Sequence, residues 1–334
     1  RRVERRHGVL LHGDAGWGEF APFDEYPPEV TARWLAAAMT SADDAFPSPV
    51  RATVPVNAIV PAVDPDRAAA MAVDAGCGTV KVKVAEPGQS LAHDLDRVAA
   101  VRAAMGPDVR IRVDANAAWD VPTAVRSIEA LAAWDLEYVE QPCATLEELA
   151  DVRRRVSVPI AADESIRTAD DPLRAAVAAA VDLIVVKVAP LGGVARALEV
   201  VAASGLPAVV SSAVDTSVGL SAGVALAAAL PSLPFACGLG TGLLLAADVT
   251  DEPLVPVDGL LPVGRVAPTR ALLDTASPPP DEAGWLLQRL AEAQAASTGA
   301  DVSGGSGQSA RSGLTRPTGT GAGPRHAQGE DRDG

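Results

Sequence analysis

Short apolar runs recur along the middle of the chain, and several of them end in a charged residue. Successive runs lie roughly 25–30 residues apart, about the length of one strand, one helix and their loops. The runs predict strands at residues 54–60, 79–84, 109–115, 136–141, 158–163, 182–188, 207–212 and 234–238. The segments between them predict helices at residues 64–75, 90–105, 121–134, 145–155, 170–180, 192–204 and 216–230.

Near-continuous apolar strands that alternate with helices are typical of a parallel sheet covered on both faces. Eight such strands favour a (β/α) barrel of the TIM type. An open doubly wound sheet is the alternative, but no G-x-G-x-x-G motif follows the first predicted strand. Two helices have clear start signals, because Asp64 precedes Pro65 and Thr145 is followed three residues later by Glu148.

The first 50 residues do not follow this repeat. Residues 9–11 predict a strand, residues 16–20 a flexible loop, and Pro28 a helix that continues over residues 29–39. Residues 1–50 alone are too few to bury a core. We therefore expect them to dock on the rest of the chain as part of a small α+β capping domain.

The C-terminal part also lacks the repeat. Short strands are predicted within residues 254–266 and a helix at residues 282–294. We assign residues 245–296 to the capping domain and residues 51–244 to the barrel. Residues 297–334 are rich in Gly, Ser, Thr and charged residues, a composition that predicts a disordered tail.

Polar side chains interrupt the predicted strands near their C-terminal ends. Because side chains alternate along a strand, Lys81 and Lys83 share one face of their strand, and Arg112, Asp114 and Asn116 share one face of the next. Their apolar neighbours then point toward the helices. In a barrel, the polar face lines the axis near the C-terminal rim, where barrel enzymes place their sites.

Three carboxylates, Asp114, Glu140 and Asp163, come from three strands that are adjacent in the predicted barrel. Unpaired carboxylates at short range repel one another, and a divalent cation relieves that repulsion. Ligation by oxygen alone favours Mg²⁺, with Mn²⁺ as a substitute. The alternative is three separate salt bridges to lysines and arginines.

Lysines flank these carboxylates. Lys83 lies on the second predicted strand and Lys187 on the sixth, and these strands are opposite each other in a ring of eight. Burial, the cation and the neighbouring Lys81 would lower the pKa of Lys83 and so allow it to act as a general base. Lys81 itself is fairly explained as an ion that neutralises the carboxylates. Arg112 is either a structural ion-pair partner or a substrate contact. A metal held by oxygens, facing lysines and no nucleophile suit the removal of a proton next to a carboxylate.

Composition narrows the classes of partner. The 334 residues carry a net charge of −15, which disfavours nucleic acid and anionic membranes as partners. No apolar stretch is long enough to predict a transmembrane helix, and no signal peptide follows the opening Arg1–Arg6. We expect a cytoplasmic protein that binds a small-molecule carboxylate; the oligomeric state stays open, a monomer included.

Cysteine and histidine add no further site. Cys77, Cys143 and Cys237 are far apart, which predicts free thiols in a reducing compartment. No pair of cysteines has the spacing of a zinc site, and the four histidines are scattered.

Jointly, these motifs resemble the enolase superfamily, in its muconate-lactonizing-type subgroup, over roughly residues 8–290. The resemblance is carried, in order, by Lys81-Val82-Lys83, Asp114-Ala115-Asn116, Glu140-Gln141-Pro142, Asp163-Glu164-Ser165 and Lys187. Residues 16–23, 211–220 and 238–241 are similar, in finer detail, to the o-succinylbenzoate synthase family in its actinobacterial form.

The resemblance implies an enolase-type barrel and a Mg²⁺-dependent hydro-lyase of menaquinone (vitamin K2) biosynthesis. The implied reaction is the syn-dehydration of 2-succinyl-6-hydroxy-2,4-cyclohexadiene-1-carboxylate to 2-succinylbenzoate. Lys83 would remove the proton α to the carboxylate and return it to the departing hydroxide. Mg²⁺ on Asp114, Glu140 and Asp163 would stabilise the enediolate, and Lys187 would support this anion from the opposite face.

The same resemblance implies contacts to the rest of the substrate. The loop at residues 16–23 would close over the ligand, and Ser211, Ser212 and Gly238 would lie near its succinyl group. The capping domain of this family begins with a further strand before Val9, so Arg1 is expected to follow that strand, in a fragment or a chain with a misassigned start. The C-terminal tail has no counterpart in the family.

Three other functions stay open. An N-acylamino acid racemase or dipeptide epimerase of the same superfamily would use Lys83 and Lys187 as bases on opposite faces. A non-catalytic barrel that acts as a binding protein would keep its function when Lys83 is replaced by alanine. A metal-dependent barrel hydrolase usually brings histidine ligands, which this pattern lacks.

Overall fold

The computed structural model describes residues 3–167 and 180–304, and the helix predicted at residues 170–180 lies outside them except for its last residue. The chain divides into two compact units, Arg1–Ser297 and Thr298–Gly334. The first unit contains the elements described below, apart from the end of the last helix.

The elements follow the predicted alternation closely. Before the barrel lie β1 (Val9–Gly13), β2 (Gly16–Phe20), α1 (Pro28–Asp43) and β3 (Thr53–Pro55). The barrel strands are β4 (Ala58–Val60), β5 (Thr79–Lys83), β6 (Arg110–Asp114), β7 (Leu136–Glu140), β8 (Ile160–Ala162), β9 (Leu183–Lys187) and β10 (Ala208–Ser211).

Helices cover the barrel and end the chain. They are α2 (Pro65–Asp74), α3 (Leu91–Met105), α4 (Val121–Leu131), α5 (Leu146–Arg153), α6 (Glu164–Arg167), α7 (Val188–Leu191), α8 (Val194–Ser204) and α9 (Ser217–Ala229). After them come β11 (Leu260–Pro262), α10 (Arg270–Ala276) and α11 (Pro280–Gly304). The predicted start signals are confirmed, because the Asp64 side chain accepts from the N–H of Arg67 and Thr145 forms a capping box with Glu148.

The described strands β4 to β10 pair in parallel, in chain order, as one seven-stranded sheet. The predicted eighth strand, residues 234–238, is reduced to single bridges from Cys237 to Val56 and from Gly238 to Ser211. The N–H groups of Cys237 and Gly238 donate to the carbonyls of Pro55 and Val210, both at 2.7 Å. These bonds close the ring, so β5 and β9 lie opposite each other as predicted.

Two apolar layers confirm the predicted alternation of the strands. Val80 and Val82 are fully buried in the main core, which they share with the helices. Tyr138, Val185 and Val209 have the parity of the polar site residues and form a separate cluster, inside the ring. This packed apolar cluster therefore lies beneath the polar residues of the site.

The predicted strand at residues 54–60 is two strands. β3 pairs antiparallel with β11, whereas β4 pairs parallel with β5. Between them, the N–H groups of Val56 and Asn57 donate to Gly259 and Cys237. The single-strand prediction was wrong because an unbroken apolar run does not reveal a change of partner.

Residues 16–20 form a strand, so the predicted flexible loop was wrong. β2 pairs antiparallel with β1 along its whole length, and α1 packs against it. A Cβ at Gly18 would overlap the carbonyl oxygen of Ala38 in α1. Glycine here permits close packing of helix on strand rather than flexibility.

The predicted helix at residues 192–204 starts later than expected. A short helix, α7, ends at Leu191, and α8 begins at Val194, with Gly192 and Gly193 between them. The φ angles of these glycines are +89° and +127°, which interrupt an α-helix without strain at glycine.

The final helix, α11, continues to Gly304, beyond the predicted start of the tail at residue 297. Residues 305–334 lie outside the described residues, so their disorder stays a prediction, as do the exact domain boundaries. Within the described part of the chain, no helix combines the length and the apolar character that crossing a membrane requires.

Candidate active site

The strand register places the side chains of the site next to one another at the carboxyl ends of neighbouring strands. Lys83 at the end of β5 pairs with Asp114 of β6, and Asp114 pairs with Glu140 of β7. Asp163 follows β8 directly, and Lys187 ends β9. The predicted convergence of these five side chains at one rim therefore follows from the register alone.

Lys81 lies one rung lower and joins two of the carboxylates. Its Nζ is 2.6 Å from Glu140 Oε1 and 2.9 Å from Asp114 Oδ2. Burial opposes the charge of this ammonium group, but Asp114 and Glu140 raise the pKa of Lys81 well above its ordinary value. Lys81 therefore stays a cation, the neutralising role that was one reading of the sequence.

Lys83 is the more accessible amine of the pair. Its Nζ donates to Asp114 Oδ2 at 2.5 Å and to Asn116 Oδ1 at 2.7 Å. Asn116 adopts a left-handed backbone with φ +45°, and its side-chain amide donates to Glu164 Oε1 at 3.1 Å. An Asn in this region is tolerated where surrounding bonds hold it, and here those bonds orient the lysine.

Lys187 pairs with Asp163 across the ring from Lys83. The backbone of Asp163 is held by Gln141, whose Oε1 accepts the N–H groups of Asp163 at 2.8 Å and Ser165 at 3.2 Å. The Gln141 amide nitrogen donates to Ser165 Oγ at 2.5 Å and to the Cys143 carbonyl at 2.8 Å. One buried side chain thus fixes the turn that carries Asp163.

The pKa values of Asp114 and Glu140 are shifted in opposite directions. Burial acts to raise the pKa of Asp114, but the ammonium groups of Lys81 and Lys83 hold it well below its usual range. Burial and the charge of Asp114 raise the pKa of Glu140 to about 7, against the pull of Lys81. Lys81 therefore does not fully offset the charge of the buried carboxylates.

The site opens into a cavity of about 610 Å³. Its floor is formed by side chains of the barrel rim, namely Lys81, Lys83, Asp114, Asn116, Asp163, Glu164 and Lys187. Its walls include Arg5 and Arg6 of the N-terminal arm, which we define as residues 3–8, and Phe23 after β2. Such a volume suits a small organic ligand.

Arg112 is buried below this cavity and does not line it. Its guanidinium donates to Glu137 at 2.5 Å and to the Ala236 carbonyl at 2.7 Å, and it stacks over the ring of Tyr138 at 4.7 Å. The structure therefore places Arg112 as an internal ion-pair partner; its substrate contact, the other reading of the sequence, has no support in this geometry.

The predicted succinyl contacts also lie apart from the main cavity. Ser211 and Ser212 line a separate small pocket, and the hydroxyl of Ser212 donates to the Gly238 carbonyl at 3.1 Å. A Cβ at Gly238 would lie 2.6 Å from Ser211 Oγ, so glycine is needed for ring closure here. Contact of these three residues with a substrate stays a prediction.

The donor set has the chemistry of a site for a hard divalent cation: three buried carboxylates, without histidine or cysteine. The raised pKa of Glu140 agrees with such a site, because the positive charge of a bound cation would lower that pKa again. As they stand, the oxygens bond to amines, and no three Asp, Glu, His or Cys side chains in residues 3–167 and 180–304 are grouped to hold a metal ion.

One signal in the sequence was missed. The chain has 28 lysines and arginines, and only three of them are lysines, Lys81, Lys83 and Lys187. All three line the cavity. Arginine is the cation elsewhere in the chain, and a lysine, unlike an arginine, can lose its proton near neutral pH. The role of Gln141 and the position of Arg6 had no comparable signal.

Two family models match the chain. One, described as Enolase C-terminal domain-like, matches residues 65–271. The other, described as Enolase N-terminal domain-like, matches residues 1–42.

Individual relatives match over most of their length. The chain is 61% identical to the o-succinylbenzoate synthase of Thermobifida fusca (strain YX), over 89% of this chain and 92% of that protein. It is 51% identical to the o-succinylbenzoate synthase of Mycobacterium leprae (strain TN), over 87% of this chain and 86% of that protein.

Among solved structures, a dipeptide epimerase from Enterococcus faecalis V583 is similar, with a TM-score of 0.62 and 24% identity over 78% of this chain and 92% of that chain. At that identity the likeness shows the fold alone. The matches to both enolase domains and to these relatives agree with the motifs of the rim, and the chain belongs to the enolase superfamily and, within it, to the o-succinylbenzoate synthase family.

Proposed function

We propose that this chain is an o-succinylbenzoate synthase, a hydro-lyase of menaquinone biosynthesis. Its substrate is 2-succinyl-6-hydroxy-2,4-cyclohexadiene-1-carboxylate, and its product is 2-succinylbenzoate and water. The observation that carries the proposal is the rim itself, where Lys83 on β5 and Lys187 on β9 lie across the ring from each other with three carboxylates beside them.

Membership of the superfamily implies a divalent metal ion. Asp114, Glu140 and Asp163 are the residues that would hold it, and we propose Mg²⁺, with Mn²⁺ as a substitute. When bound, the ion supplies positive charge beside the substrate carboxylate, where negative charge develops as the α-proton leaves.

Lys83 is the proposed general base and acid. Its Nζ lines the cavity and is held by Asp114 and Asn116. As a neutral amine it takes the proton α to the carboxylate; as an ammonium it returns that proton to the hydroxyl group that leaves from the neighbouring carbon. Both steps take place on one face of the ring, so the elimination is syn and water is the only by-product.

Lys187 and Lys81 act as fixed cations in this scheme. Lys187, across the ring, stabilises negative charge on the substrate from the face opposite Lys83. Lys81 lies below; its charge helps to keep Asp114 ionised and opposes the raised pKa of Glu140. Aromatisation of the ring makes the step downhill, so positioning of substrate and base is the main task of the protein.

The test is a spectrophotometric assay of the cyclohexadiene substrate. The diene absorbance should disappear in the presence of Mg²⁺, persist when a chelator is added, and disappear again after Mg²⁺ is restored. Turnover that is indifferent to the chelator would refute the metal-dependent site, and no turnover under any condition would refute the dehydration.

A racemase of N-acylamino acids remains the second candidate, because Lys83 and Lys187 lie on opposite staves, as a two-base mechanism requires. In deuterium oxide, such an enzyme exchanges the α-proton of an N-succinylamino acid with solvent. We expect dehydration of the diene to be the more efficient reaction, as measured by kcat/KM. The reverse order would assign racemisation as the main activity.

A further inference from the structure

The cavity has a basic wall that the proton transfer does not use. Its three lysines are paired with carboxylates, and Arg5 lies 3.8 Å from Glu282. Arg6 also lines the cavity but forms no ion pair with any residue that the structure describes. A cavity that takes a dianionic substrate thus keeps one cation that no carboxylate of the described residues binds directly.

Arg6 is held rigidly by backbone and aromatic contacts. Its Nε donates to the carbonyl of Val214 at 3.3 Å, and its Nη2 donates to the carbonyl of Ala21. The guanidinium carbon lies 4.5 Å from the centre of the Phe23 ring. Nη1 has no hydrogen-bond partner in residues 3–167 and 180–304, so part of a preorganised fork remains available.

The loop that holds Arg6 is strained. Val214 has φ +61°, a backbone conformation that β-branched residues rarely adopt. Val214 lines the cavity and presents its carbonyl to Arg6. Backbone strain of this kind clusters at ligand-binding sites, where surrounding contacts maintain it.

Arg6 and Lys187 both line the cavity, and both lie near Asp215. Both residues act on the carboxylate of Asp215: burial raises the pKa of Asp215, and Arg6 and Lys187 oppose that rise. The substrate has one carboxylate on the ring and another at the end of its succinyl chain. If the ring carboxylate lies beside the lysines, the carboxylate at the end of the succinyl chain lies farther from them, at the cavity wall.

We propose that Arg6 binds the distal carboxylate of the substrate through its guanidinium and so selects a ligand with two carboxylates. The inference rests on the proposed function and extends it to a residue of the N-terminal arm. A guanidinium that is already fixed to Ala21 and Val214 loses little further freedom on binding a carboxylate.

The test compares two ligands and three forms of the full chain by isothermal titration calorimetry in the presence of Mg²⁺. The ligands are 2-succinylbenzoate and 2-butanoylbenzoate, in which a methyl group replaces the distal carboxylate. The proteins are the wild type, Arg6→Gln and the control Arg126→Gln, an exposed arginine on α4 that does not line the cavity. Circular dichroism and thermal melting check that each variant is folded.

We expect Arg6→Gln to weaken binding of 2-succinylbenzoate about 10- to 100-fold and to leave binding of 2-butanoylbenzoate nearly unchanged. Arg126→Gln should change neither affinity by more than a few-fold. If Arg6→Gln weakens both ligands equally, Arg6 serves only the structure of the arm and the inference is overturned.

The two proposals fail differently. If the wild type discriminates between the ligands and Arg6→Gln discriminates equally well, the carboxylate is bound elsewhere and only this inference falls. If the wild type does not bind 2-succinylbenzoate at all, the proposed function falls, and the subsite for its distal carboxylate falls with it.

Discussion

At the scale of single residues, the identity of the cation matters as much as its charge. Lysine occurs at only three of 334 positions, and all three line one cavity. An arginine at any of them would supply positive charge and hydrogen bonds but could not release a proton at neutral pH. Of the three, Lys83 is the one to which we assign the proton transfer, whereas Lys81 and Lys187 act as fixed cations.

Replacement of Lys83 tests this distinction. We expect Lys83→Arg and Lys83→Ala both to lower kcat by about 10³-fold or more, because neither variant has a group that can act as the base. Lys83→Arg keeps the positive charge beside Asp114, so its melting temperature should stay near that of the wild type. An arginine variant with more than a tenth of wild-type kcat would exclude Lys83 as the base.

Gln141 offers a residue-scale prediction about stability. It is fully buried, and its side chain satisfies the N–H groups of Asp163 and Ser165. Gln141→Leu leaves both groups buried without a partner, which should lower the free energy of unfolding by about 3 kcal/mol. Urea denaturation measures this, with Gln288→Leu on α11 as the control, because the Gln288 side chain donates to Glu292 at the surface. Equal losses in the two variants would argue against the role of Gln141.

Residue parity was predictable from the sequence, since alternation along a strand is a local property. Together with the order of the strands, it predicted that Lys83, Asp114 and Glu140 lie close together. The partners of Gln141 and Arg112 were not predictable, because they depend on strand register and on contacts between distant segments. Arg112 in particular has the parity of the site and pairs in register with Lys81, yet its guanidinium bonds to Glu137 and Ala236 and does not line the cavity.

At the scale of elements, one contact joins the N-terminal hairpin of β1 and β2 to the barrel. Glu19 of β2 accepts hydrogen bonds from the N–H groups of Thr216 at 3.1 Å and Gly219 at 3.0 Å, at the start of α9. The positive end of the helix dipole and these N–H groups favour a carboxylate there. Burial, followed by the charge of Asp215, nevertheless raises the pKa of Glu19 to about 7.

This shift predicts a pH dependence of stability. Because the pKa of Glu19 is raised on folding, the folded state binds the proton more tightly than the unfolded state. The resulting stabilisation is fully present below about pH 4.5 and is lost as the pH rises through about 7. The free energy of unfolding of Glu19→Gln relative to that of the wild type should therefore increase from pH 5 to pH 8, by on the order of 2 kcal/mol.

Chemical denaturation at the two pH values measures the difference between variant and wild type. Glu129→Gln, an exposed change on α4, is the control and should show a difference that does not vary with pH. A Glu19→Gln difference that is equally constant would mean that Glu19 does not titrate in this range.

Most elements were predictable because their boundaries carry local signals, as the caps of α2 and α5 show. The errors came from features set by tertiary contact. Gly18 indicated flexibility in the sequence but serves the packing of α1 on β2. Val56 and Asn57 lie in an apolar run, yet the chain changes strand partners there.

At the scale of the whole molecule, ring closure makes the site. The hydrogen bonds from Cys237 and Gly238 join the two edges of the sheet, so β5 and β9 become opposite strands of one ring. Lys83 and Lys187 can then act on opposite faces of one substrate, with the carboxylates between them. An open sheet with the same strands would hold the two amines far apart.

The central claim is that one divalent cation binds among Asp114, Glu140 and Asp163, within reach of every lysine of the chain. Protein labelled with ¹³C and ¹⁵N at lysine has only three lysine side chains to observe by NMR. Titration with Mn²⁺ should broaden the signals of Lys81, Lys83 and Lys187 together, with one apparent affinity, and Asp114→Asn should abolish this broadening. If any of the three signals stays sharp at saturating Mn²⁺, the lysines do not surround a common metal ion and the account is wrong.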